Sequence, residues 1–219
     1  MEPEKFKLKD LGYGLVIPIL VGLLILAFAT VIRSGLLSAF PMETGNPIPH
    51  ILTFGFAQMI MFGVPLMLGL LWNKWAGGAA GFITGTLYYI ANAGYAVATF
   101  AQYGMSVNFW ADASLLCYIV VGILIGYIAG SLSNGSSSFK RMLGAGLTAA
   151  IATGAIQTFA NLFLAIQENL DMAWGVPPTI ENALYAVFLA MLPMVVLGIL
   201  VPIVAKVMTW YGLQVQKSY

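Results

Sequence analysis

The composition of this chain excludes an ordinary soluble domain. Of its 219 residues, 60% are hydrophobic and 8% are charged, and the formal net charge is +1. Such an apolar composition is typical of a polytopic membrane protein. The chain has no extended basic patch, so we do not expect a nucleic-acid partner.

The first predicted element is an apolar run that follows a short basic segment. Lys5, Lys7 and Lys9 precede the apolar residues 11–32. A signal peptide has a similar arrangement, but its apolar region is shorter and is followed by a small-residue cleavage site. We therefore interpret residues 11–32 as a transmembrane helix.

Five further apolar segments follow in chain order. Each is long enough for a bilayer core of about 30 Å, which requires roughly 20 apolar residues. The sequence thus predicts an all-α integral membrane protein with a single transmembrane domain over residues 1–219. Its six-transmembrane-helix bundle comprises helices at about 11–32, 51–72, 76–100, 114–133, 141–166 and 181–209.

The basic residues predict the orientation of these helices, because Lys and Arg prefer the cytoplasmic flanks of transmembrane segments. With both termini cytoplasmic, Arg33 alone among the basic residues lies outside. The other eight fall at inner ends: Lys5, Lys7, Lys9, Lys74, Lys140, Arg141, Lys206 and Lys217. We expect a multi-pass protein of the plasma membrane with both termini in the cytoplasm.

Small residues recur every four positions in three of the predicted helices, all in the cytoplasmic half. Residues at this spacing share one helix face and let transmembrane backbones approach closely. The three ladders predict helix-packing seams in the inner half, and they consist of Gly77, Gly81 and Gly85; Gly122, Gly126 and Gly130; and Gly146, Ala150 and Gly154.

Polar and aromatic residues continue the same helix faces toward the outside. The third helix carries Tyr88, Asn92 and Tyr95, the fourth carries Tyr118 and Ser114, and the fifth carries Gln157, Asn161 and Glu168. Amides inside a bilayer are unfavourable unless they are paired or face a cavity. The stripes therefore indicate either a binding cup or hydrogen bonds between helices, and the sequence leaves both open.

Several kinds of chemistry find no support in the residues. The predicted spans hold no Asp, Glu, Lys or Arg between their ends, unlike those of proton-coupled pumps. A phosphate-binding glycine loop is missing, so any ATP would be hydrolysed by another chain. The single Cys117 and the single His50 predict no metal site and no cofactor within the chain. We do not expect an enzyme.

Two segments resemble a known transporter family. Residues 75–89 (WAGGAAGFITGTLYY) are similar to the glycine-rich helix of the substrate-binding S components of energy-coupling factor vitamin transporters, and residues 118–131 (YIVVGILIGYIAGS) are similar to their fourth helix. The layout of six helices with long outer loops also resembles that family. Its members bind a vitamin-like molecule from outside, while a transmembrane coupling subunit and ATPases supply the energy.

The resemblance implies a ligand pocket between outer helix ends and outer loops. Trp110 and Trp174 would stack on a flat ring, and Glu168 would pair with a cation or accept hydrogen bonds. Tyr88 and Gln157 are also candidate ligand-binding residues, but they rest on the polar stripes alone and not on the resemblance. The remaining candidate wall residues are His50, Asn92, Tyr95 and Asn161.

Two other classes of protein fit the same sequence. In an accessory subunit of a larger membrane complex, the ladders would pack against partner helices and the loop aromatics would anchor in lipid. In a small channel or facilitator, the polar stripes would line a continuous pore.

Overall fold

The computed structural model describes residues 16, 19, 20, 23, 56–102, 106, 108–165 and 180–211. Within these ranges the chain is helical and contains no strand. The helices are α1 (Phe56–Leu71), α2 (Lys74–Gln102), α3 (Ala113–Ser133), α4 (Phe139–Phe163) and α5 (Ile180–Trp210), with a short 3-10 turn at Phe109–Ala111 before α3.

Three of these helices contain a stretch long and apolar enough to cross a membrane, namely Ala113–Ser133, Phe139–Phe163 and Met191–Trp210. The prediction of an all-helical membrane protein is confirmed to this extent. The count of six spans and the positions of the termini stay predictions. In the first predicted helix, Ile19 and Leu23 line a shallow apolar pocket together with Phe82 and Leu87 of α2.

Side-chain caps and a left-handed turn define where the helices begin and end. The side chain of Asn73 accepts a hydrogen bond of 2.8 Å from the backbone nitrogen of Ala76 in the first turn of α2. After α3, Asn134 and Gly135 adopt φ values of 44° and 63°. This backbone conformation suits Asn and Gly and reverses the chain into α4.

The closest helix contacts involve glycines of α1, α2 and α3. A Cβ atom at Gly77 would lie 2.7 Å from the carbonyl oxygen of Gly126, and one at Gly85 would lie 2.7 Å from that of Tyr118. Gly81 and Gly122 face each other still more closely, and Gly69 of α1 lies on Gly126. Glycine therefore permits backbone-to-backbone contact between these helices.

A second close contact joins α4 to α5. Gly146 lies against Pro202, and a Cβ atom at Gly198 would lie 3.0 Å from that of Ala150. Gly154, two turns further along α4, faces the side chains of Met191 and Met194. The two helices are therefore antiparallel.

Between these seams lies an apolar core to which α1, α3, α4 and α5 contribute. Its largest fully buried side chains include Phe62, Ile125, Met142 and Leu197. Helix α1 contains Pro65, and α5 contains Pro193 and Pro202. Membrane helices tolerate internal prolines where neighbouring helices surround the carbonyl groups that lose their hydrogen bonds.

The described basic residues lie together at one end of the bundle, here called the basic end: Lys74, Lys140, Arg141 and Lys206. Arg141 Nε donates to the carbonyl oxygen of Leu132 at 3.0 Å, and Lys206 Nζ donates to that of Ser137 at 2.8 Å. Asp112 and Glu181 begin or precede helices at the opposite end. Because Lys and Arg prefer the cytoplasmic side of a membrane, the basic end is the one predicted to be cytoplasmic.

Cysteine labelling in intact cells tests this orientation. In a Cys117→Ala background, a cysteine replacing Ser106 should react with a membrane-impermeant thiol reagent, because this exposed position lies at the end opposite the basic end. A cysteine replacing the exposed Ser137 should react only after permeabilisation. The reverse pattern would contradict the predicted topology.

Candidate functional site

Five neutral polar side chains from four helices meet in the half of the bundle away from the basic end. This polar cluster consists of Gln58 of α1, Tyr88 of α2, Tyr118 of α3, and Gln157 and Asn161 of α4. Tyr88, Tyr118 and Gln157 are buried, and Asn161 is partly exposed. Such a concentration of hydrogen-bonding groups is unusual in an apolar bundle.

Tyr118 is the centre of the cluster. Its hydroxyl accepts a hydrogen bond of 3.2 Å from Gln58 Nε2 and also interacts with the side chains of Asn161 and Tyr88. The rings of Tyr88 and Tyr118 lie 4.7 Å apart, with Phe62 stacked at 6.3 Å from Tyr118. One phenol therefore links helices α1, α2, α3 and α4.

Gln157 attaches α4 to α3 beside this centre. Its Nε2 donates to the backbone carbonyl of Ser114 at 3.2 Å and to Oδ1 of Asn161 at 2.7 Å. The polar stripes of the fourth and fifth predicted helices thus meet at matching depth, and two of the predicted amides bind each other.

The other predicted site residues lie elsewhere. Asn92 donates to the carbonyl oxygen of Tyr88 in its own helix at 2.8 Å, and Tyr95 is 41% exposed. Trp110 packs on Tyr89, whose hydroxyl donates to the Trp110 carbonyl at 2.7 Å. Trp110 thus lies on a neighbouring face of α2. His50, Glu168 and Trp174 fall outside the described residues.

Asp112 caps the end of α3 that lies next to the cluster. One carboxylate oxygen accepts from the Ser114 nitrogen at 2.8 Å, from the Ser114 hydroxyl at 2.6 Å and from the Leu115 nitrogen at 3.4 Å. The side chain is fully buried. The helix N-terminus favours its negative charge, so this carboxylate positions the Ser114 carbonyl that Gln157 binds.

Removing this cap should destabilise the protein. We expect Asp112→Ala to lower the free energy of unfolding by about 1–2 kcal/mol, the usual loss for a helix N-cap. Asp112→Asn should lose less, because its amide oxygen still accepts from the same backbone nitrogens. Denaturant unfolding of the purified variants measures both values, and an unaltered alanine variant would contradict the capping role.

Sequence reasoning missed Gln58 as a site residue and noted Tyr118 only as a continuation of a ladder. A glutamine inside the apolar run 51–72 is itself a signal, because amides within membrane spans pair with other polar groups. The cap at Asp112 was missed as well, although an Asp directly before the apolar run of α3 is a signal for the start of a helix.

The five side chains of the cluster offer neutral hydrogen bonds and aromatic surfaces. Among the described residues, no group of three or more His, Cys, Asp or Glu side chains could hold a metal ion.

Comparison with known proteins adds no family to this picture: no protein family, no curated protein and no solved structure matches the chain.

Proposed function

We propose that this protein binds a small, vitamin-like molecule from outside the cell, within the plasma membrane, for uptake energised by separate ATPase and coupling subunits. The observation that carries the proposal is the polar cluster around Tyr118. The energising subunits rest on the family resemblance of residues 75–89 and 118–131.

The depth of the cluster favours access from the outer end. Tyr118 is five residues after Ala113, the first residue of α3. At 1.5 Å per residue this places it about 8 Å below the helix end. A guest entering between the outer loops would meet Tyr118, Gln157 and Asn161 before reaching the apolar core.

The contact of α2 with α3 favours binding over conduction. Gly77, Gly81 and Gly85 lie directly on the backbone of α3 between the cluster and the basic end. Backbones in contact leave no room between these two helices for a solute. A continuous pore between α2 and α3, which the channel hypothesis would use, is therefore disfavoured.

An accessory structural subunit is the second candidate. It is favoured by the hydrogen bonds of Gln58 to Tyr118 and of Gln157 to the Ser114 carbonyl, because each joins two helices without a guest. In that case the cluster acts as an interhelical hydrogen-bond lock, which in membranes contributes about 0.6 kcal/mol for each bond on average.

Native mass spectrometry of the gently purified protein separates the two candidates. A binding protein should retain a small molecule, and Asn161→Leu should weaken its retention by roughly tenfold or more, which corresponds to about 1.4 kcal/mol or more. Asn92→Leu is the matched control, because the Asn92 amide binds only the backbone of its own helix in the described contacts.

The structural candidate predicts a different result. Asn161→Leu would then lower the melting temperature more than Asn92→Leu, and no small molecule would be present in the wild type. That outcome would refute the proposed binding function.

A further inference from the structure

Among the described residues, one buried atom of the polar cluster lacks a hydrogen-bond partner. Gln157 is 5% exposed, and its Nε2 makes two hydrogen bonds. Its Oε1 is closed to solvent and has no partner within the part of the chain that the structure describes. A buried amide oxygen that is left without a donor destabilises a protein, so a donor at this position would be favourable.

The surroundings fix which way the amide points. The backbone carbonyl of Ser114 can only accept, so it must face Nε2 rather than Oε1 of Gln157. Turning the amide over would place Oε1 of Gln157 about where Nε2 now lies, 3.2 Å from the carbonyl oxygen of Ser114. Two acceptor oxygens would then face each other without a hydrogen between them. The unpaired atom is therefore an acceptor, and the partner that it lacks is a donor.

Thr158 gives an instructive comparison. Its hydroxyl also lacks a partner in the described residues, but a hydroxyl can rotate toward a carbonyl one turn back in its own helix. Thr153 does so toward Ala149 at 2.7 Å. Gln157 Oε1, being an acceptor, has no such remedy, because the carbonyls of a helix cannot donate.

We propose that Gln157 Oε1 accepts a hydrogen bond from the guest, and that the guest is a small neutral molecule with an N–H or O–H donor. The inference rests on the proposed function, and it defines the class of substrate. The guest is neutral because the five side chains of the cluster carry no charge, and an unpaired charge in this setting would be strongly unfavourable.

The position of Asn161 adds a second requirement. Asn161 is partly exposed and lies one turn beyond Gln157 toward the end of α4. A guest approaching from that end would replace Oδ1 of Asn161 as an acceptor for Nε2 of Gln157, and the Asn161 amide released in this way would itself bind the guest. Amides, lactams and ureido compounds carry such a donor and acceptor together.

Matched probes test the requirement for a donor. Pyrrolidone and N-methylpyrrolidone, uracil and dimethyluracil, and nicotinamide and N,N-dimethylnicotinamide differ chiefly in their N–H groups. With millimolar probe and purified full-length protein, we expect at least one N–H compound to raise the melting temperature. Its affinity should exceed that of its methylated partner by roughly fivefold to tenfold, the value of one neutral hydrogen bond.

Two variants locate the acceptor. Gln157→Met removes the amide from an unbranched side chain of similar length and should abolish the preference for N–H compounds. Thr158→Val removes the hydroxyl of the neighbouring residue, whose oxygen is also buried and unpartnered in the described residues, and it should retain the preference because Thr158 is not part of the cluster. If a variant folds poorly, the preference of the wild-type protein for N–H compounds over their methylated partners still tests whether the guest donates a hydrogen bond.

The outcomes separate this inference from the proposed function. Equal binding of both members of every pair, a preference that persists in Gln157→Met, or a charged co-purified ligand would overturn the donor inference and leave the binding function standing. If no probe raises the melting temperature and native mass spectrometry finds no ligand, both proposals fail.

Discussion

Replacing Gly81 with alanine is expected to lower the free energy of unfolding by about 3 kcal/mol, near the upper end of the usual effect of overpacking. The added Cβ atom would overlap the backbone of Gly122 and would lie 2.8 Å from the nitrogen of Ile123. A backbone cannot rotate away as a side chain can, so α2 and α3 would have to separate. Denaturant or thermal unfolding of the purified protein in detergent measures the change.

Gly78 provides a matched control in the same helix. A Cβ atom there would meet atoms of Ile123 and Tyr127 at 3.8 Å, which is ordinary van der Waals contact. Gly78→Ala should be neutral or stabilising by up to about 1 kcal/mol, because alanine favours the helix. Equal stability of Gly78→Ala and Gly81→Ala would show that the close contact of α2 with α3 does not govern stability.

The spacing of small residues predicts faces of helices but not their partners. Gly77 and Gly81 lie on Gly126 and Gly122, so two of the ladders face each other. The third ladder, which includes Gly146, packs on Gly198 of α5, a residue outside any predicted ladder. A stripe of small residues makes a helix face flat, and dispersion forces then favour any equally flat neighbour. Which neighbour is adjacent depends on the connections of the whole bundle.

The polar residues of the cluster were predictable where they continued a ladder. Tyr88, Gln157 and Asn161 were identified in this way, and all three lie around Tyr118. Gln58 was not identified, because the apolar run that contains it has no ladder to define a face. An amide that pairs with a residue of another helix can lie on any helix of the bundle, provided that both residues are at the same depth in the membrane.

Trp110 shows why loop residues are harder to place. It belongs to the 3-10 turn at Phe109–Ala111, where helical periodicity does not apply. Its neighbour Phe109 is fully buried and stacks on Phe100 at 4.9 Å. This contact orients the turn, and Trp110 consequently lies 45% exposed against Tyr89. The sequence of the turn alone does not show which of its two aromatic residues, Phe109 or Trp110, is buried.

Tyr118→Phe is expected to lower the free energy of unfolding by about 1–3 kcal/mol, although it removes a single oxygen atom. The phenol oxygen accepts from Gln58 Nε2, and its loss leaves that donor facing an apolar ring. The interaction with Asn161 is lost as well. The ring stays in contact with Tyr88 and Phe62, so packing changes little. Thermal and denaturant unfolding give the difference.

Tyr127→Phe on the same helix is the control for this change. The ring of Tyr127 packs edge-on against Trp75 and beneath Lys74 Nζ at 5.6 Å, and these contacts do not involve its hydroxyl. We expect a change within about 0.5 kcal/mol, as at most surface positions. A cycle that combines Tyr118→Phe with Gln58→Leu should give a coupling energy of about 0.6 kcal/mol, the average for hydrogen bonds between membrane helices, for which the largest values are about 1.7 kcal/mol. Additive effects would mean that Tyr118 does not join α1 to α3 through Gln58, and the cluster would lose its centre.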